Sequence, residues 1–132
     1  MQIANVVAIR STCDKASVGC VIVKDRRIVA TGYNGAPSGM EHCIEVGCLI
    51  KDGHCIRSLH AEVNAILMCA EHGVSTRGAI VYTTMLPCWH CSLMLINAGI
   101  KKIYFANDYI DDRGDQKELF KKVKIELFKQ IL

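Results

Sequence analysis

The sequence has no apolar run near the ~18 residues a membrane-spanning helix needs, so no membrane partner is expected. Its opening, MQIANVVAIR, lacks the basic start and longer apolar middle of a secretory leader, and a cytosolic location is the expectation. It has no dense block of Lys or Arg. Its 16 basic and 13 acidic side chains leave a formal charge of +3, too small an excess to argue for a nucleic-acid partner. No phosphate-binding loop, Gly-x-Ser-x-Gly turn or dinucleotide fingerprint is present. Internal repeats, linkers and low-complexity tracts are also missing. What remains is 132 residues, 51% of them hydrophobic. That is enough for one globular domain, 1–132, to bury a core without disulfides.

Against these absences stand eight cysteines. In a secreted chain an even count would suggest disulfides. In a reducing compartment thiols persist, and metal binding or catalysis is the better reading.

Hydrophobic patterning orders the rest. A helix is expected to about Thr12, with Ile3, Val6, Val7 and Arg10 at helical spacing. The β-rich runs Val18–Val23 and Ile28–Tyr33 flank the polar turn Lys24-Asp25-Arg26-Arg27 and predict a hairpin. Residues 40–59 show little periodicity and many cysteines, which suggests an irregular loop. Helices are predicted over Ala61–His72, stopped by Gly73, and over Cys88–Ala98, opened after Pro87 and stopped by Gly99. Strands are predicted at Ala79–Thr83, Lys102–Ala106 and Lys124–Phe128, with a short helix at Asp115–Lys122. Alternating helices and strands imply right-handed crossovers and parallel neighbours. The expected fold class is α/β: one mixed sheet, antiparallel at the hairpin, with helices on both faces.

Two motifs carry chemistry, His60-Ala61-Glu62 and Pro87-Cys88-Trp89-His90-Cys91, each at the start of a predicted helix. Catalytic zinc sites use three protein ligands and keep a fourth position for water. His60, Cys88 and Cys91 supply one nitrogen and two sulfurs. Cysteines three apart share a helix face, and a helix N-terminus favours the anionic thiolate. Zinc so held lowers the pKa of a water to about 7. Glu62, two residues after His60, reaches the space beside the metal and can carry a proton from the water to the ring and then to the leaving amine. A lone Cys-x-x-Cys is weak and His-x-Glu alone weaker. Together, in this order and context, they are strong, and they form the signature of nucleobase deaminases. A closed structural zinc site would have no need of Glu62 and would favour four closed ligands.

The chain resembles the deoxycytidylate (dCMP) deaminases of the cytidine deaminase superfamily. The matching stretches are Ser11-Thr12-Cys13, Val18-Gly19, Thr31 through Gly39, His60 through Ile66, Pro87 through Cys91 and Asn97 through Lys101; the tail after about Tyr109 matches loosely. The resemblance implies a three-layer α/β/α fold with a five-stranded sheet, hydrolysis of dCMP to dUMP and ammonia in support of thymidylate synthesis, and a homo-oligomer, usually a hexamer. It implies catalytic zinc at His60, Cys88 and Cys91, with Glu62 as the proton shuttle. It places Asn64 at the deoxyribose 3′-hydroxyl, Asn34 beside the substrate, the Ala61 backbone at the cytosine carbonyl and the Pro87 carbonyl at the exocyclic amine. Related enzymes are often activated by dCTP and inhibited by dTTP at a subunit-interface site that includes the Gly32-Tyr33-Asn34-Gly35 loop. Some regulated members carry a basic residue where this chain has Glu71, and an acidic side chain there would repel a triphosphate. Within the superfamily, tRNA adenosine deaminases share both motifs but need a larger basic surface. Nucleoside cytidine deaminases normally have Cys in place of His60, and riboflavin-pathway deaminases a longer second cysteine spacing. A zinc-held binding module without turnover is the rival from another class.

Cys20, in an apolar strand, and Cys69, in a helix, read as buried small hydrophobes. Cys13, Cys43, Cys48 and Cys55 suggest a second, structural zinc, with His54 or His42 as alternative ligands. Some members of the family carry such a site. Arg57 and Lys15 are candidates for the substrate phosphate, one as a bidentate fork and the other as a point charge.

Overall fold

A computed structural model describes residues 1–130; the last two residues of the expected domain lie outside it. The long elements are α1 (Gln2–Ala8), β1 (Gly19–Lys24), β2 (Arg27–Tyr33), then the short α2 (Cys43–Val46), β3 (Ile50–Lys51) and β4 (His54–Cys55). After these come α3 (Ala61–Glu71), β5 (Ile80–Met85), α4 (Trp89–Asn97), β6 (Lys102–Asn107), α5 (Gln116–Lys122) and β7 (Glu126–Lys129).

Five strands form one mixed sheet in the order β2-β1-β5-β6-β7. β1 is antiparallel to β2 and to β5, while β6 is parallel to both of its neighbours. The hairpin turns at Asp25 and Arg26, whose φ values of 50° and 61° match the right-handed twist of the strands they join. Helices cover both faces, and two glycines show how closely. Tyr33 pairs with Gly19, and Gly32 with Cys20, so Gly19 and Gly32 lie one residue out of step on opposite faces. A Cβ on Gly19 would sit 2.0 Å from the Ala4 carbonyl of α1, and one on Gly32 would sit 2.1 Å from the Ala61 carbonyl of α3. The second contact matters for function, because it seats the start of α3 directly on the sheet.

On the α3 face, Ile22, Val81 and Ile103 line up across the three central strands and meet Ala65, Cys69, Leu95 and Phe120 from the helices. Cys20 and Cys69 are buried there, as the apolar runs around them imply. On the other face Tyr82, Tyr104 and Phe128 stack across β5, β6 and β7, with ring centroids 4.8 and 5.1 Å apart. No described helix is long and apolar enough to cross a membrane.

Local hydrogen bonding explains three departures from the expected boundaries. α1 stops at Ala8 because the Thr12 amide and the Ser11 hydroxyl both go to the Asn34 carbonyl, drawing the chain off the helix. β7 begins at Glu126 because Lys124 adopts a left-handed turn, φ 60°. The 40–59 segment holds α2 and a β3–β4 hairpin of two residues per strand, too short for any periodicity to mark.

Candidate active site

The chemistry sits where α3 and α4 begin. His60 is the N-cap residue of α3 and Cys88 that of α4, and neither uses its side chain to cap its helix. Both side chains turn instead to one point. His60 Nδ1 lies 3.4 Å from Cys88 Sγ and 3.4 Å from Cys91 Sγ, and the three atoms lie within 4.8 Å of one another. Tetrahedral zinc, with bonds of about 2.3 Å to sulfur and about 2.0 Å to nitrogen, needs sulfur and nitrogen about 3.5 Å apart. The donor set and its spacing therefore fit zinc. Both thiols are buried and the imidazole keeps access to solvent.

The electrostatics are those of a shared proton. The hydrogen bond with Cys91, and after it that with His60, pulls the Cys88 thiol down to about 4. The same contact with Cys88, with burial, pushes Cys91 up, and Cys88 likewise raises His60. Glu62, in the first turn of α3, is 3% exposed, and burial raises its carboxyl above the ordinary value. Its Oε1 is 3.5 Å from the Thr83 hydroxyl of β5, at the outer limit of a hydrogen bond.

A cavity of about 220 Å³ opens over His60 and Glu62. Lys15, Asn34, His54, Ser58 and Tyr109 also line it. A second cleft of about 520 Å³ approaches His60 and Cys88 from the side of Cys91 and Arg113.

Of the residues expected at the substrate, Ala61, Asn34 and Lys15 line the cavity. The Asn34 amide is already engaged, accepting from the Val18 amide at 2.9 Å and donating to the Ala16 carbonyl at 2.8 Å. Asn64 donates its amide nitrogen to the Tyr33 carbonyl at 2.8 Å. The Pro87 carbonyl accepts the Ser92 hydroxyl at 3.3 Å. Arg57 turns its Nε to the Gly47 carbonyl at 3.2 Å. Glu71 is exposed at the end of α3. Tyr109 and Ser58 were missed by sequence reasoning. Tyr109 lies in the loosely matching tail, and nothing local marks Ser58, whose buried hydroxyl has no partner among the described residues.

The remaining cysteines gather beside the cavity. Cys13, Cys43 and Cys48 bring their sulfurs within 4.8 Å of one another, and Cys55 Sγ is 3.6 Å from Cys43 Sγ. Of the two histidines weighed as alternative ligands, His54 lines the cavity and His42 is the N-cap of α2.

Residues 1–107 match the zinc-binding region of the cytidine and deoxycytidylate deaminases. The chain belongs to this deaminase family. It is 50% identical to ComE operon protein 2 of Bacillus subtilis over 109 residues, 83% of this chain and 58% of that one. It is 38% identical to the deoxycytidylate deaminase of Saccharomyces cerevisiae over 125 residues, 90% of this chain and 40% of that one. The chain thus spans roughly half the length of these curated relatives. Among solved structures, the dCMP deaminase of cyanophage S-TIM5 in complex with dCMP and dUMP superposes with a TM-score of 0.85 at 33% identity, covering 98% of this chain and 92% of that one.

Proposed function

We propose that the chain, as one deaminase domain, hydrolyses dCMP to dUMP and ammonia and so supplies dUMP for thymidylate synthesis. The observation that carries this reading is the convergence of His60, Cys88 and Cys91 on one point beside the buried carboxyl of Glu62. The likeness to an enzyme solved with dCMP and dUMP supports the choice of substrate.

His60, Cys88 and Cys91 would hold the zinc, which when bound would supply a Lewis acid able to ready a water for attack at neutral pH. Glu62 takes one proton from the attacking water and delivers it to the ring nitrogen, then carries the remaining hydroxyl proton to the departing amine. Water adds at the ring carbon that bears the amine, the bond to that exocyclic nitrogen breaks, and dUMP and ammonia are the products. Burial suits Glu62 to this part, since a carboxyl raised above its ordinary value holds and passes a proton more readily. Ala61 and Pro87 offer backbone groups to the cytosine carbonyl and amine. Asn34 flanks the base, and Asn64 keeps its side-chain oxygen for the deoxyribose. Lys15, at the cavity wall, meets the phosphate ahead of Arg57, whose fork is turned to Gly47.

A second, structural zinc is proposed at Cys13, Cys43, Cys48 and Cys55, supported by the gathering of their sulfurs. By resemblance, dCTP and dTTP are proposed as effectors at the Gly32-Tyr33-Asn34-Gly35 loop of a hexamer, and the cytosol as the compartment.

The test is an assay of ammonia release from dCMP, CMP, dCTP, deoxycytidine and an adenosine-bearing tRNA stem-loop, each with and without dCTP or dTTP. Turnover of dCMP above the other substrates is expected. Metal-loaded protein that leaves every cytosine nucleotide untouched sinks the assignment.

A further inference from the structure

The two residues between the paired cysteines, Trp89 and His90, are both held by one loop that the proposed mechanism leaves without a role. This loop, residues 108–115, joins β6 to α5. Its Asp111 side chain is wholly buried, and four donors converge on the carboxylate. Oδ2 accepts the Trp89 amide at 2.6 Å and Arg113 Nη2 at 2.8 Å. Oδ1 accepts Arg113 Nε at 2.7 Å and the Arg113 amide at 3.1 Å. The guanidinium then turns Nη1 to His90 Nδ1, 2.8 Å away. Gly114 completes the grip: a Cβ there would lie 2.5 Å from the Trp89 ring, so the loop backbone lies against the indole.

The physical need for this arrangement follows from the N-cap. A helix begins with amide N–H groups that have no partner within the helix, and an Asp, Asn, Ser or Thr at the N-cap ordinarily accepts one of them. In α4 the N-cap is Cys88, whose side chain makes no capping bond. Asp111 supplies that acceptor from a distant loop, at the first amide of the helix, where the helix dipole also favours a negative charge. A buried carboxylate is costly unless it is paired and hydrogen-bonded. The bidentate fork of Arg113 meets that need with directed, charge-assisted bonds.

We infer that Asp111 and Arg113 are positioning residues for the thiol pair: they cap and lock the first turn of α4, which sets the separation of Cys88 and Cys91. The inference rests on the metal-centre reading above. Partners one step beyond the ligands ordinarily change metal affinity or activity about 10–100-fold when removed, and the same range is expected here.

The experiment uses the full chain loaded with zinc or cobalt(II), in three forms: wild type, Arg113→Lys and Asp111→Asn. Arg113→Lys keeps the charge at a partly exposed site and loses the fork and the reach to His90. Two properties are read besides turnover: the rate of zinc release to a chelator and the cobalt ligand-field and thiolate charge-transfer bands. Release about 10–100-fold faster, with shifted cobalt bands, is expected for both variants. A merely structural ion pair would lower the melting temperature and leave both readings unchanged. A folded Arg113→Lys with wild-type release and wild-type bands overturns the inference, and it decides alone if Asp111→Asn does not fold. Wild-type protein that takes up neither metal overturns the metal-centre reading itself.

Discussion

The two cysteine clusters border the same cavity and are built in opposite ways. His60, Cys88 and Cys91 stand at the starts of two helices that pack on a five-stranded sheet, and two of the three are a single helical turn apart. Cys13, Cys43, Cys48 and Cys55 come from a loop, a four-residue helix, the coil after it and a two-residue strand. The first cluster is positioned by a scaffold that would stand without it. The second gathers short pieces, and a metal bound there, as proposed, would position the scaffold. Zinc sites that contribute folding energy outright behave in the second way.

This contrast yields a divided outcome. Cys91→Ser should reduce turnover to background while the melting temperature changes little. Cys43→Ser should do the reverse, lowering the melting temperature by on the order of 10 °C and exposing residues 40–59 to proteases, with kcat kept at saturating substrate. Thermal melts, limited proteolysis and metal counts check both arms, and the opposite pattern would invert the comparison. A smaller effect separates the cavity wall from the loop behind it. Lys15 lines the cavity and Arg57 is bound to the Gly47 carbonyl. Losing one charge-assisted bond to the phosphate costs about 1.5–3 kcal/mol, so Lys15→Ala should raise the KM for dCMP by at least about 10-fold. Arg57→Ala should change it less, and deoxycytidine, which has no phosphate, should respond to neither.

The smallest effect concerns pH. Burial alone would raise the Asp111 carboxyl, but the bonds from Arg113 and the Trp89 amide outweigh it and hold the group well below the ordinary carboxylate range. A folded pKa below the unfolded one stabilises fully above the unfolded value of about 4 and is lost as pH falls toward the folded value. Melting temperature plotted against pH should therefore fall less steeply below about pH 4 in Asp111→Asn than in wild type. Parallel acid limbs would count against a strongly paired Asp111.

How much of this was legible in the sequence follows the same division. The helices, the hairpin and the parallel strands carry apolar runs, so the elements that supply Ile22, Val81, Leu95 and Ile103 to the core could be placed before any coordinates. His60, Glu62, Cys88 and Cys91 stood out because their spacing within each motif is short and their motifs open helices. The 40–59 segment left no period to read, since its pieces are two to four residues long. Asp111 and Arg113 escaped notice for a different reason. They bind each other locally, but the residues they hold, Trp89 and His90, lie 22 and 23 residues away, and no local pattern encodes such a contact.

In the proposed reaction Glu62 moves the proton while His60, Cys88 and Cys91 hold the metal. The most direct measurement compares dCMP turnover and zinc content in wild type and in Glu62→Gln, purified side by side. A loss of about 10²–10⁴-fold in kcat, with zinc at wild-type level, is expected. Turnover that survives in Glu62→Gln, or zinc lost together with activity, would contradict the proposed reaction.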